Sequence, residues 1–76
     1  MRAQSENDLR RRVAKHLRSY RAHKGWTQLN LAEKCALPRS YIADLENARR
    51  NPSLRTLLRL ANAMRVPVQA LFDDEA

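Results

Sequence analysis

The side chains in this chain that could do chemistry cluster in residues 27–47, TQLNLAEKCALPRSYIADLEN. The segment reads as two short helices joined by a tight turn. The second helix carries polar and basic groups, Arg39, Ser40 and Tyr41, at its exposed start. These are hydrogen-bonding and electrostatic groups, not a set for bond-breaking. The chain as a whole has fifteen Lys and Arg against eight Asp and Glu, a formal net charge of +7. Charge of that sign on a small domain draws polyanions. Together with the paired helices it points to DNA.

Other chemistries find little support. His16 and His23 are seven residues apart and Cys35 is the only cysteine, so no spacing resembles a zinc site. There is no Ser/His/Asp set, phosphate loop or carboxylate pair in a glycine-rich frame. The sequence therefore predicts no enzyme, no metal, no cofactor and no small-molecule ligand. Trp26 reads as a core plug beside Gly25, because no other aromatic follows at a spacing suited to stacking bases. No stretch approaches the roughly 18 apolar residues of a membrane span. The first residues, MRAQSENDLRRR, lack the apolar run of an export signal. One thiol without an export signal fits a reducing cytoplasm.

The elements that must position these groups are helical. A chain of 76 residues makes one domain, with 1–5 as an N-terminal tail and an acidic tail over 73–76. A single glycine, much Ala, Leu and Arg, and no strand-like alternation predict an all-α, compact five-helix fold. The first helix is expected over 6–24, opened by a Ser5–Asp8 capping box, with Leu9, Val13, Leu17 and Tyr20 on one stripe. Gly25 falls where a left-handed terminator is wanted. Thr27 caps the second helix, Ala36 and Leu37 form the turn, and Pro38 takes the first position of a third helix to about 47. Ser53 caps a fourth helix to about 64, whose apolar positions are wider than one core stripe requires. Pro67 opens a short fifth helix containing Val68, Leu71 and Phe72.

Two helices crossing closely need a small residue midway along the first, which Ala32 supplies. They need a branched apolar anchor on the second, which is Ile42. Leu31, Leu37 and Leu45 complete the apolar set. The turn between such helices often uses Gly. Ala36 stands there instead, at a cost of about 1–2 kcal/mol if its backbone is left-handed.

On these residues the chain resembles the lambda-repressor-like, Cro-type helix-turn-helix regulators, also called the xenobiotic-response-element family. The matching segments are Gly25-Trp26-Thr27-Gln28, Leu31-Ala32-Glu33-Lys34, Arg39-Ser40-Tyr41-Ile42, Leu45-Glu46-Asn47, Arg50-Asn51-Pro52-Ser53, and 57–61 with Val66-Pro67. They cover about residues 9–72. The nearest look is to restriction–modification controller proteins. The departures are Ala36 and Ala48 where Gly is common, Pro38 for a capping Ser or Thr, and Leu29 for an exposed acid.

The resemblance implies that the third helix enters the major groove, which admits a helix. Base contacts would come from Arg39, to guanine O6 and N7, from Ser40, and from Asp44. Asp44 either accepts from a cytosine amine, orients Arg39, or has only an intrahelical partner. Phosphate contacts would come from Thr27, Gln28, Lys34, Tyr41, Arg49, Arg50 and Asn51, with a partly buried ring the alternative for Tyr41. The resemblance pairs Glu46 with a basic residue of the first helix, Arg18 or Arg21. Arg10, Arg11 and Arg12 read as a solvated face more than as backbone contacts.

One such helix reads few base pairs, so useful affinity needs two copies on a two-fold site, about 34 Å apart. The surplus apolar residues Leu58, Val66, Val68, Leu71 and Phe72 are the expected homodimer interface, unless they merely close the monomer core. The implied function is a prokaryotic, cytoplasmic transcriptional regulator that binds double-stranded DNA at an inverted-repeat operator and responds to its own concentration. Activation would require a further surface touching RNA polymerase. The competing class is an antitoxin that binds a cognate toxin and represses its own operon.

Overall fold

The computed structural model describes residues 3–73; the expected acidic tail at Asp74 and Glu75 lies outside them. Four α-helices follow in order: α1 (Glu6–Lys24), α2 (Gln28–Cys35), α3 (Arg39–Glu46) and α4 (Leu54–Met64). A 3-10 segment, Val68–Phe72, closes the described chain. The all-α expectation and its element order hold. The fifth element is a 3-10 turn rather than an α-helix, five residues being too few to sustain α-helical bonding beyond one turn.

Local chemistry explains the starts. Ser5 Oγ accepts from the Asp8 amide at 3.0 Å, and Asp8 returns a carboxylate to the Ser5 amide at 3.3 Å. A second box, Thr27 with Asn30, opens α2 with bonds of 3.0 and 2.9 Å. Ser53 Oγ accepts from the Thr56 amide at 3.1 Å and opens α4. Pro38 differs from expectation. Its extended ψ of 148° makes it the residue before α3 rather than the first within it, and it offers no side-chain cap.

All four α-helices end alike. Each closes with a 6→1 and a 5→2 backbone bond around a left-handed residue, the arrangement that satisfies late carbonyls. At α1 this residue is Gly25, φ 70°. At the other three it is Ala36 (φ 56°), Ala48 (φ 58°) and Arg65 (φ 57°), each with a Cβ in a region that disfavours one. The left-handed turn at Ala36 that its position in the sequence raised is therefore present.

The core is a single cluster of Val13 and Leu17 from α1, Leu31, Ala32 and Cys35 from α2, Ile42 and Leu45 from α3, Leu57, Leu60, Ala61 and Met64 from α4, and Leu71. Ala32 is 1% exposed and Ile42 0%, as close crossing of α2 and α3 demands. Truncating a side chain such as Ile42 to Ala would cost about 2–5 kcal/mol. Leu71 is also wholly buried, so it closes the monomer and is not available to a dimer interface. Val66, Val68 and Phe72 are half-buried against the same core. Leu58 is exposed, and so is Leu54, one turn earlier on α4. Trp26 packs on the core in a T-shaped, edge-to-face contact with Tyr20, ring centroids 5.6 Å apart.

In the arginine run on α1, Arg10 and Arg12 are engaged with other elements, while Arg11 stays on the solvated face. Arg10 reaches Asn51 at 2.6 Å, Arg11 pairs with Asp8 at 2.9 Å, and Arg12 donates to the Phe72 carbonyl at 3.3 Å. The Arg10 and Arg12 bonds tie the α3–α4 loop and the closing 3-10 turn to α1.

Candidate nucleic-acid interface

The face presented by α3 follows from its burial pattern. Ile42, Leu45 and Glu46 turn inward, leaving Arg39 and Ser40 exposed and Tyr41, Ala43 and Asp44 half-exposed. The outward side of the helix is therefore polar and opens on a guanidinium. Gln28, the first residue of α2, lies against it.

Glu46 is 3% exposed and anchors this arrangement. Arg21 grips both its carboxylate oxygens, Nε at 2.7 Å and Nη2 at 2.9 Å. Gln28 donates its amide to Glu46 Oε1 at 3.1 Å, and its carbonyl accepts from Arg39 Nη1 at 3.0 Å. Arg21 also donates to the Trp26 carbonyl at 3.0 Å, and Arg18 donates to the Glu46 backbone carbonyl. Burial pushes the Glu46 carboxyl up. The hydrogen bonds from Arg21 and Gln28 and the charges of Arg21 and Arg18 outweigh it and hold the group below the usual carboxylate range. The Arg21 guanidinium is correspondingly pushed up, chiefly by its hydrogen bond to Glu46. Both basic residues expected near Glu46 are there, in different roles.

Asp44 does have a partner, but outside its own helix. Arg50 Nη2 lies 3.3 Å from Asp44 Oδ2, with its guanidinium carbon 4.3 Å above the Tyr41 ring. Both members of that ion pair are substantially exposed, so it contributes little to stability. Arg49 is exposed beside Arg50. Lys34 lies 4.8 Å over the Trp26 ring.

Asn51 is placed differently from its expected role. Its carbonyl accepts from Arg10 and its amide donates to Glu6 at 3.2 Å, so both ends of the side chain are committed to α1. It clamps the loop instead of facing a phosphate. Local pattern cannot reveal this, because the partners are more than forty residues away. Thr27 has its hydroxyl engaged as a cap. Among the described residues no group of three or more His, Cys, Asp or Glu could hold a metal ion. No described helix is long and apolar enough to cross a membrane.

Comparison with known proteins agrees with this geometry. Residues 17–71 match the helix-turn-helix family. The immunity repressor protein of Bacillus phage phi105 is 43% identical over 63 residues, covering 83% of this chain and 44% of the repressor. The chain thus spans less than half the length of that relative. The crystal structure of the restriction–modification controller protein C.AhdI from Aeromonas hydrophila superposes with a TM-score of 0.78 at 36% identity, covering 83% of this chain and 96% of that one. The structure of SinR, the master regulator for biofilm formation, in complex with DNA superposes with a TM-score of 0.74 at 31% identity, covering 80% of this chain and 98% of that one. The crossed pair α2–α3, its inward Ala32 and Ile42, and its outward Arg39 and Ser40 make this chain a member of the Cro/C1-type helix-turn-helix family of DNA-binding transcriptional regulators.

Proposed function

We propose that the protein is a sequence-specific regulator that binds duplex DNA as a homodimer on an inverted-repeat operator and controls its own promoter. The observation that carries this reading is the division of α3 into a wholly buried apolar side and an exposed side that opens with Arg39 and Ser40. A helix so divided can rest in the major groove without loss of core packing. Arg39, Ser40 and Asp44 are assigned to bases. Thr27, Gln28, Lys34, Tyr41, Arg49 and Arg50 are assigned to the phosphate backbone, Thr27 and Gln28 through the opening of α2, where the helix dipole favours an anion.

Eight residues of α3 span about 12 Å, enough for a few base pairs. Two copies on a two-fold site supply the rest of the affinity. Leu58, with the half-buried Val66, Val68 and Phe72, is assigned to the contact between copies, and the exposed Leu54 extends the apolar side of α4. Likeness to a restriction–modification controller supports the regulatory reading; autoregulation through weak dimerisation, in which binding rises steeply with protein concentration, is part of the proposal.

Footprinting on the promoter of its own gene, together with sedimentation at tens of micromolar, tests the reading. The expected result is a dimer mass and two symmetric protected half-sites about 34 Å apart, one DNA turn. A monomer mass with no protection would end it.

A further inference from the structure

A second basic surface lies on α1, outside the contacts assigned above. Arg11, Lys15 and Arg18 recur at steps of four and three, so they share one stripe of the helix. With Ala14, Glu46, Asn47 and Ala48 they line an open groove beside the end of α3. Ala14 is buried at its base, and the three basic residues are exposed.

The groove keeps its charge. Glu46, the only acid lining it, turns its carboxylate away to Arg21 and Gln28 and offers the groove its backbone carbonyl, which Arg18 binds. Arg11 shares its charge with Asp8, an exposed ion pair that water screens. Among the described residues Lys15 has no acidic partner. The groove is also continuous with the surface already described. Asn47 follows the last residue of α3, and the left-handed turn at Ala48 leads directly into the exposed Arg49.

We propose that this stripe of α1 is a second phosphate-binding surface, which holds the DNA backbone bordering the groove at the C-terminal end of α3. The inference rests on the DNA-binding reading above and extends it to residues that no turn of the helix-turn-helix contains. From Arg11 to Arg18 the stripe runs about 10 Å along the helix. Successive phosphates of one strand rise about 3.4 Å along the duplex axis, so the stripe is long enough to meet two of them. Its chemistry is that of phosphate contact, being cationic, exposed and without a planar acceptor set for base edges.

The test is the salt dependence of binding by the full chain, measured with an operator duplex and a random duplex. Lys15→Gln removes a charge without removing any intrachain bond, and its folding can be checked by melting. It is expected to shallow the slope of log K against log salt by about one unit for both duplexes, with their affinity ratio unchanged. Arg11→Gln combined with Lys15→Gln is expected to remove about two units. A wild-type slope in folded Lys15→Gln overturns the inference, as does a change in the ratio of the two affinities. If the wild-type protein shows no preference for any duplex, the proposed function fails instead. That outcome is distinguishable because it needs no variant.

Discussion

Arg39 at the start of α3 donates to Gln28 at the start of α2, Nη1 to Oε1, at 3.0 Å. The bond crosses the turn of the helix-turn-helix. Because Gln28 is itself held by buried Glu46, the long Arg39 side chain is directed before any DNA arrives. Ordering a free Arg side chain costs up to about 2 kcal/mol, and part of that loss is already taken in folding.

Arg39→Ala is expected to abolish discrimination between operator and random duplex at constant salt. A bidentate guanine contact accounts for about 1–3 kcal/mol of such discrimination. Competition binding with the two duplexes measures it. Equal weakening of both would make Arg39 a phosphate ligand.

Arg50→Ala is expected to act in the opposite manner. It should weaken all sequences alike and shallow the salt slope by about one unit. Its exposed pair with Asp44 contributes little to the fold, so the melting temperature should barely move. Titrations at three salt concentrations decide the matter; an unchanged slope rejects the role.

Glu46→Gln removes the charge that Arg21, Gln28 and Arg18 converge on. Breaking a buried ion pair costs about 3–5 kcal/mol, and partial exposure of Arg21 puts this pair at the lower end. The folded carboxyl is held below its ordinary value, so its contribution is complete above the unfolded pKa of about 4.3 and is lost as pH falls through the lowered folded value. Urea unfolding at neutral pH should therefore separate wild type from Glu46→Gln widely, and the gap should narrow below about pH 4. A gap that stays constant with pH would show that the charge is not what stabilises the site.

What the sequence made legible, and what it hid, divides by distance along the chain. Ser5, Gly25, Thr27 and Ser53 could be read because a cap is made with residues within a few positions. The alternation of buried Ile42 and Leu45 with exposed Arg39 and Ser40 could be read from helical period alone. Asn51 could not. Its type and its basic neighbour suggest a phosphate ligand, and only the fold brings Glu6 and Arg10 to its two ends. Leu71 was misplaced for a related reason: an apolar residue near a chain end looks surplus until α1 and α4 are seen to enclose it. The bridging position of Gln28 between Arg39 and Glu46 depends on three elements at once.

Ala36→Gly, at φ 56°, is expected to stabilise the domain by about 1 kcal/mol, since glycine tolerates the left-handed region without the Cβ penalty. For a domain of this size that is roughly 4–8 °C in Tm. Calorimetry reads it directly. DNA affinity at a temperature where both proteins are folded should not change; a Tm that falls would mean that glycine's freedom in the unfolded chain outweighs the relief.

Cys35 is buried in α2, and burial pushes its thiol up despite the opposing charge of Arg59. Buried as it is, the thiol lies out of reach of an alkylating reagent while the globule stays shut. Being the sole sulfhydryl, it keeps time for the molecule: each labelling event dates an opening. Operator duplex, by favouring the shut form, should slow that clock in proportion to its occupancy.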